Sequence, residues 1–356
     1  MYIAKIDEGE RMDWETIKKK IKEECKAQGK SLEYTNKFIG YAQKLYQKNI
    51  PIISSPKHFS MLVGLDHNYV CRMAYGTEFF YRHFSIPKRN GKIREIYEPL
   101  PDLKFVQEWI LENILEKCPV SEYAKAYVKG RTLKHNARFH KDQKILVTMD
   151  IKDFFPSISI DDVTKIFNNI GYLDDVSCFL AYLCCLNNQL PQGAPTSPYL
   201  SNLRLLELDK NISEYVTEHS IRYTRYADDL TFSGDFDPKF LIKNVWSLVK
   251  DSGFLINSQK TRVARQNARQ EVTGIVVNKK MQVAKAKRKE IRKQIYFIKK
   301  FGLESHLEHV HETRANYLNH LLGQINFALF VNPNDKELQA YFKDIVQIQR
   351  RNSFED

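Results

Sequence analysis

Cysteine is scarce and unpatterned in this 356-residue sequence. Cys25, Cys71, Cys118, Cys178, Cys184 and Cys185 form no Cys-x-x-Cys spacing, and the only close pair is adjacent. That argues against a zinc site and against a disulfide framework, and reduced thiols fit a cytosolic compartment. Glycine (14) and proline (12) are too few for a collagen-like or low-complexity chain. Long apolar runs are missing: the longest, Cys178–Leu186, falls well short of the ~20 residues of a membrane helix. The first ten residues hold no apolar core of signal-peptide length. The expectation is a soluble, cytoplasmic protein with no membrane partner. What is present is ample apolar content, 43%, beside 28% charged residues, enough to bury a sizeable core. At ~150 residues per domain, the length suggests two to three domains.

The net charge is +12, and its distribution says more than its size. Residues 259–300 hold fourteen Lys/Arg against Glu271 and Glu290, so the rest of the chain is close to neutral. A localised basic stretch either meets a polyanion or is a solvated helix face. Interleaved Arg and Tyr, with 19 Tyr and 21 Phe overall, offer stacking surfaces and favour nucleic acid.

Periodicity predicts two N-terminal helices near 13–28 and 32–48. The first is charged almost all round, with a poorly defined apolar face. A helix near 101–117 presents Val106, Ile110 and Ile114 on one face. Lys144–Asp150 reads as a strand ending in a carboxylate, and 197–218 as one long helix. Ile221–Ser233 alternates on both sides of Ala227-Asp228-Asp229, a hairpin with two carboxylates at its tip. A helix near 237–251 follows, and Gly253 ends it. Helices near 286–301, 306–328 and 335–350 complete the chain. Mixed strands and helices followed by an all-helical tail indicate an α+β domain plus a helical domain.

Three Asp-Asp pairs occur: Asp161-Asp162, Asp174-Asp175 and Asp228-Asp229. Such a pair is usually a helix cap or an exposed turn. Only the third lies between two alternating strands, where crowded carboxylates repel unless a cation sits between them. Mg²⁺ prefers oxygen ligands and is commonly held by one or two carboxylates plus substrate phosphates. Asp150, at the end of its own strand, supplies the further carboxylate if the strands are neighbours. Three carboxylates on two strands suit a two-metal, in-line displacement at phosphorus.

Tyr226-Ala-Asp-Asp229 resembles the catalytic box of reverse transcriptases, and Asp150-Ile-Lys-Asp-Phe-Phe-Pro-Ser157 resembles the first catalytic motif of their palm. Pro87–Pro99 resembles the fingers hairpin, Leu190–Pro198 the template- and nucleotide-facing loop, and Gly253–Thr261 the motif after the catalytic box. All five stand in the family's order. Asn136-Ala-Arg-Phe-His140 and Val272-Thr-Gly274 match two signatures of bacterial retron reverse transcriptases. The resemblance spans roughly residues 60 to 300.

The resemblance implies a right-hand polymerase: α+β, with fingers and palm built on an antiparallel sheet packed on helices, and a C-terminal helical thumb. Its expected parts are an N-terminal helical extension (1–55), fingers (56–145, with 186–200 returning near them), palm (146–280) and thumb (281–356). Asp150, Asp228 and Asp229 are then the catalytic carboxylates. Two Mg²⁺ ions would be held by Asp150 and Asp228, with the Ile151 carbonyl and Asp229 as further ligands. Lys92 and Arg94 would clamp a deoxynucleoside triphosphate. Asp153, Phe154, Phe155, Gln192, Gly193 and Lys260 complete the nucleotide site, with Phe155 set to clash with a ribose 2′-OH. Lys260 is a candidate proton donor to pyrophosphate or a plain surface lysine. Asn136 and His140 are expected in a structural or RNA-contacting role. Val272, Thr273, Gly274, Lys285, Lys287, Arg288 and Arg292 are expected to meet nucleic acid.

The activity implied is RNA-directed DNA synthesis on one cognate noncoding RNA. It is primed from a guanosine 2′-OH and yields branched multicopy single-stranded DNA, within a bacterial anti-phage system that includes an effector protein. A group II intron-like or diversity-generating reverse transcriptase, and a noncatalytic RNA-binding scaffold, are the alternatives. The two retron signatures oppose the first and the intact aspartates the second.

Overall fold

Residues 12–87, 91, 93–311 and 316–352 are described by the structure, a computed structural model. Short polar residues start the first helices as the sequence suggests. Asp13 caps α1 (Trp14–Ala27) and Ser31 caps α2 (Leu32–Gln47), each accepting a backbone N–H three residues on. Helices α3 (Pro56–Leu62) and α4 (His67–Tyr75) lead into the strands β1 (Tyr81–Pro87) and β2 (Ile93–Pro99), then α5 (Pro101–Asn113). Next come α6 (Leu133–Phe139), β3 (Ile145–Asp150), α7 (Ile160–Ile170), α8 (Asp174–Cys184), α9 (Ser197–Arg204) and α10 (Leu206–Glu218). The hairpin strands β4 (Arg222–Tyr226) and β5 (Asp229–Gly234) precede α11 (Pro238–Asp251) and the strands β6 (Arg262–Arg265), β7 (Glu271–Val272), β8 (Ile275–Val276) and β9 (Gln282–Val283). Helices α12 (Lys285–Phe301), α13 (Leu303–His309), α14 (Tyr317–Val331) and α15 (Lys336–Asn352) follow.

The chain divides into two compact units, each assembled from three stretches. One holds the residues up to Val128, Ile151–Ile212 and Leu248–Leu255. In it, α1 and α2 form their own small core from Ile17, Ile21 and Cys25 against Phe38 and Ala42. The face that charge obscured in the sequence is thus a three-residue stripe at i, i+4, i+8. β1 and β2 pair antiparallel from Tyr81↔Pro99 to Pro87↔Ile93 and are largely exposed. On α5, Val106 and Ile110 are fully buried, as is Ile114 just beyond it. Asp162 closes a capping box with Ser159 at the start of α7 and bonds Arg204 at 2.8 Å. Asp174 and Asp175 occupy the first turn of α8. Two of the three aspartate pairs are therefore helix-start residues.

The other unit holds Lys129–Asp150, Ser213–Ser247 and the chain from Ile256 on. Its main sheet has the order β4-β5-β3-β6, all antiparallel. The cross-strand pair Tyr223↔Phe232 stacks at 5.0 Å and fixes the hairpin register. A second sheet, β7-β8-β9, shares one core with the C-terminal helices through Val272, Ile275, Ile291, Ile295, Leu321, Ile325, Leu338 and Ile345.

Two expected helices are each divided. The one at 197–218 breaks at Leu205, whose backbone sits at φ −91°, ψ 4° with its side chain fully buried. The one at 306–328 is α13 and α14. Val310 and the left-handed His311 (φ 51°) close the first of these. None of the described helices is long and apolar enough to cross a membrane.

Candidate active site

Three carboxylates meet because two strand ends meet. β3 and β5 pair so that Asp150, the last residue of β3, lies opposite Asp229, the first of β5. β4 turns into β5 through the two residues Ala227 and Asp228, between the paired Tyr226 and Asp229. Ala227 takes a positive φ of 57°, a conformation that favours glycine and is costly for other residues. The backbone N–H of Asn257 donates to the Asp150 carbonyl at 2.7 Å and fixes that strand end from another side.

One oxygen from each of Asp150, Asp228 and Asp229 lies within 4.8 Å of the others. Asp150 is 5% exposed, and Asp228 and Asp229 are half-buried. Burial, then the charges of Asp228 and Asp150, push Asp229 up to about 7. Burial and Asp150 push Asp228 upward as well. Lys260 Nζ donates to Asp150 Oδ2 at 2.6 Å. Desolvation acts to lower the Lys260 ammonium, but its bond to Asp150 and the two neighbouring aspartates outweigh that and hold it above its ordinary value. The cluster is thus a hard, all-oxygen donor set whose full ionisation needs more positive charge than one lysine gives. These residues fit a divalent, oxygen-seeking cation.

The remaining nucleotide-site candidates lie in the other unit. Ile151 directly follows Asp150 and its side chain is buried. Asp153 is exposed with φ 47°, Phe154 is buried, and Phe155 is half-buried, 6.5 Å from the Tyr127 ring. Arg94 is exposed on β2 opposite Ile86, whereas Lys92 lies outside the described residues. Gln192 accepts the Tyr97 N–H through its carbonyl at 2.8 Å. Gly193 has φ 128°, and a Cβ there would sit 2.6 Å from the Tyr97 carbonyl oxygen. The glycine is demanded by contact with β2, whatever else approaches it.

Asn136 and His140 are not surface residues. Both are fully buried, so an RNA contact through their side chains does not fit. His140 Nε2 lies 2.7 Å from Thr224 Oγ1, and His140 Nδ1 lies 2.7 Å from Ser233 Oγ. Thr224 Oγ1 donates to Asn136 Oδ1 at 2.5 Å. With its one proton committed to Asn136, Thr224 accepts from His140, which assigns the proton to Nε2 and leaves Nδ1 to accept from Ser233. The Asn-Ala-x-x-His motif therefore fastens α6 to both strands of the catalytic hairpin. Thr224 and Ser233 went unread in the sequence. Both are buried hydroxyl residues of the hairpin strands, and nothing in their local sequence sets them apart from Thr231 or the strand tyrosines.

Val272 is fully buried in the core, so its side chain offers no surface to nucleic acid. Thr273 (φ 47°) and Gly274 (φ 83°) form the turn between β7 and β8, and Gly274 is exposed. On α12, Arg288 pairs with Asp335 and Glu337 at 2.8 and 2.6 Å, Arg292 with Glu337 at 2.7 Å and Lys287 with Glu290 at 3.3 Å. Two cations expected to grip phosphates thus fasten α12 to the segment leading into α15. Lys285 is in no ion pair among the described residues.

An antiparallel sheet with three carboxylates at adjoining strand ends suits metal-assisted transfer at phosphorus. The reverse transcriptase (RNA-dependent DNA polymerase) family matches residues 86–312. The chain is 34% identical over 286 residues to the Retron Ec86 reverse transcriptase of Escherichia coli, covering 79% of this chain and 88% of that one. It is 34% identical over 282 residues to the Retron Mx65 reverse transcriptase of Myxococcus xanthus, covering 73% of this chain but 63% of that longer relative. Among solved structures it is similar to the foamy viral protease-reverse transcriptase, with 15% identity, 75% of this chain and 43% of that chain covered, and a TM-score of 0.41. The chain belongs to the reverse transcriptase family, among the retron reverse transcriptases. It is an RNA-directed DNA polymerase of the α+β right-hand class, and a divalent metal is the cofactor that its aspartate cluster fits.

Proposed function

We propose that this chain is the polymerase of a retron that copies part of one cognate structured RNA into DNA. Priming is from a guanosine 2′-OH, and the product is branched multicopy single-stranded DNA. The observation that carries the reading is the convergence of Asp150, Asp228 and Asp229, with Lys260 on Asp150, in a chain that bears both retron signatures. Asp150, Asp228 and Asp229 would hold two Mg²⁺ ions, with the Ile151 carbonyl as a further ligand. Bound there, the metal supplies charge neutralisation to the attacking hydroxyl and to the triphosphate. Arg94 and Lys92 on the fingers hairpin, with Gln192, Gly193, Asp153 and Phe154, would seat the deoxynucleoside triphosphate. Phe155 would exclude a ribose. Lys260, charged and beside Asp150, is suited to give a proton to departing pyrophosphate. The turn at Thr273 and Gly274 and the cations of α12 left outside ion pairs would meet RNA. Residues 1–55 form the N-terminal extension, 56–145 the fingers, 146–280 the palm and 281–356 the thumb. The setting is the bacterial cytoplasm, in an anti-phage system with an effector protein.

The test is expression with the flanking genomic region, wild type against Asp228→Ala, followed by extraction of small nucleic acids. Treatment with RNase and debranching enzyme should reveal a short DNA that is absent from the variant and changes mobility on debranching. Linear, unbranched DNA would replace this reading with a group II intron-like or diversity-generating enzyme. RNA bound without any DNA from the wild type would leave a binding scaffold.

A further inference from the structure

A second concave site lies far along the sequence from the aspartates, between α12 and α13. It is a cavity of about 300 Å³ lined by Glu290, Lys293, Gln294, Phe297, His306, His309 and Val310. That volume is at the small end of ligand pockets, which span ~300–1,000 Å³, and it admits one flat heterocycle rather than a duplex. Three aromatic rings gather there: Phe297 lies parallel to His306 (9°, centroids 6.3 Å) and 6.5 Å from His309.

Its polar groups are incompletely bonded. His306 is 4% exposed, and its Nε2 meets the Tyr317 hydroxyl at 2.9 Å, while its Nδ1 has no hydrogen-bond partner among the described residues. Gln294 Oε1 is also buried without one. Both atoms lie too deep for a water-sized group to touch, so what recommends the cavity is its aromatic wall and the neighbouring cation rather than these atoms. Burial, and then the nearby His309, lower His306 and so disfavour its charged form. Lys293 lies 5.8 Å from the Phe297 ring and is in no ion pair among the described residues. Glu290, paired with Lys287 at 3.3 Å, also lines the cavity, and its carboxylate disfavours a bare phosphate inside.

We propose that this pocket receives a single unpaired nucleobase of an RNA strand, with Phe297 and the histidines against its face and Lys293 near its phosphate. An aromatic wall beside a basic helix is how unstacked bases are held. The inference rests on the reading of the chain as an RNA-copying enzyme, and it adds a contact outside the polymerase centre.

The test uses the full chain with a short single-stranded ribo-oligonucleotide carrying 4-thiouridine, irradiated and mapped by mass spectrometry. Crosslinks should fall on the peptides containing Phe297 and His309, competed by unlabelled single strand but not by duplex RNA. Val310→Trp, which fills the pocket from its exposed rim, should cut that crosslinking at least tenfold while metal-dependent deoxynucleotide incorporation on a primed template persists. Phe297→Leu, which keeps the apolar volume, should do the same if its circular dichroism matches wild type. Crosslinks unchanged in both variants, or mapped only elsewhere, overturn the pocket. Incorporation present without pocket crosslinks sinks this inference alone, whereas a wild type that incorporates nothing sinks the polymerase reading beneath it.

Discussion

His140 Nε2 stands 2.7 Å from Thr224 Oγ1, four residues before Asp228 along the catalytic hairpin. Of the two roles expected for this motif, structural or RNA-contacting, its burial fits the structural one: it braces the strands that deliver the carboxylates. Thr224→Val keeps the shape and removes the hydroxyl, taking one hydrogen-bond partner each from the buried imidazole and the Asn136 oxygen. The expected loss is about 2–4 kcal/mol of stability, with a lower kcat at unchanged nucleotide KM. Urea denaturation and steady-state kinetics check both. A variant as stable and as fast as wild type removes the brace from the account.

Asp228→Asn separates the cost of the carboxylate cluster from its use. The cluster is strained without a cation, since burial and mutual repulsion push both Asp228 and Asp229 upward. Removing one charge should raise the metal-free melting temperature, shrink the rise that Mg²⁺ gives by binding the folded state, and abolish DNA synthesis. Thermal melts with EDTA and with Mg²⁺, beside primer extension, read all three. In wild type, EDTA should stop synthesis and excess Mg²⁺ restore it. A lower metal-free melting temperature in the variant would contradict the repulsion argument.

Gly193→Ala tests why the glycine is there. Its φ of 128° is foreign to alanine, and the new Cβ would meet the Tyr97 carbonyl oxygen at 2.6 Å. Backbone must move, at a cost of at least about 2 kcal/mol. Since Gln192 also bonds Tyr97 through its carbonyl, the shift should weaken nucleotide KM as well. Unchanged unfolding and unchanged KM would mean that the loop yields freely.

The aspartate hairpin was legible because Ile221 and Tyr223 on one side, and Leu230 and Phe232 on the other, alternate with polar residues about Ala227-Asp228-Asp229, and because two residues suffice to turn. Asp150 was legible as a strand end because the short run Ile145–Met149, rich in apolar and β-branched residues, stops there. Its pairing opposite Asp229 was not, because register between strands about 80 residues apart leaves no local trace. The face of α1 was obscured by charge, although Ile17, Ile21 and Cys25 carry a helical spacing. The cations of α12 misled for a plainer reason: composition counts charges but does not show Glu337 arriving from α15 to meet Arg288 and Arg292. The Leu205 break lies in an apolar stretch that gives no stop signal, and only the backbone angles reveal it.

The pH dependence of stability should carry the signature of His58. This side chain is 5% exposed, bonded through Nδ1 to Ser54, and burial lowers it from 6.5 to about 4. The folded state holds it neutral, while the unfolded chain takes up its proton near 6.5. Its contribution is complete above that value and disappears as pH falls through about 4, a loss of at most about 3 kcal/mol. Urea midpoints between pH 7 and pH 4 should fall, and His58→Gln should flatten that part of the fall. An identical slope in the variant assigns the acid sensitivity to other groups.

Phe155 is the residue on which sugar choice is expected to turn. It follows the buried Phe154 at a ring distance of 5.2 Å, is itself half-buried, and faces Tyr127 at 6.5 Å, so its ring is braced on two sides. In the proposed place under the incoming sugar, a braced aromatic would not yield to a 2′-OH, whereas a pocket enlarged by its removal would accept one. Phe155→Ala should therefore raise ribonucleotide over deoxynucleotide incorporation by ~10-fold or more, the scale on which steric pockets discriminate. Because the substitution also removes core contacts, the ratio of the two kcat/KM values is the quantity to read: general loosening lowers both together, and only a steric gate moves their ratio. Arg94→Ala serves as the contrast, expected to weaken both substrates equally through the triphosphate. An unchanged ratio in Phe155→Ala would leave Phe155 as packing for Tyr127 and Phe154, and sugar choice would have to be sought in another residue of the proposed nucleotide site.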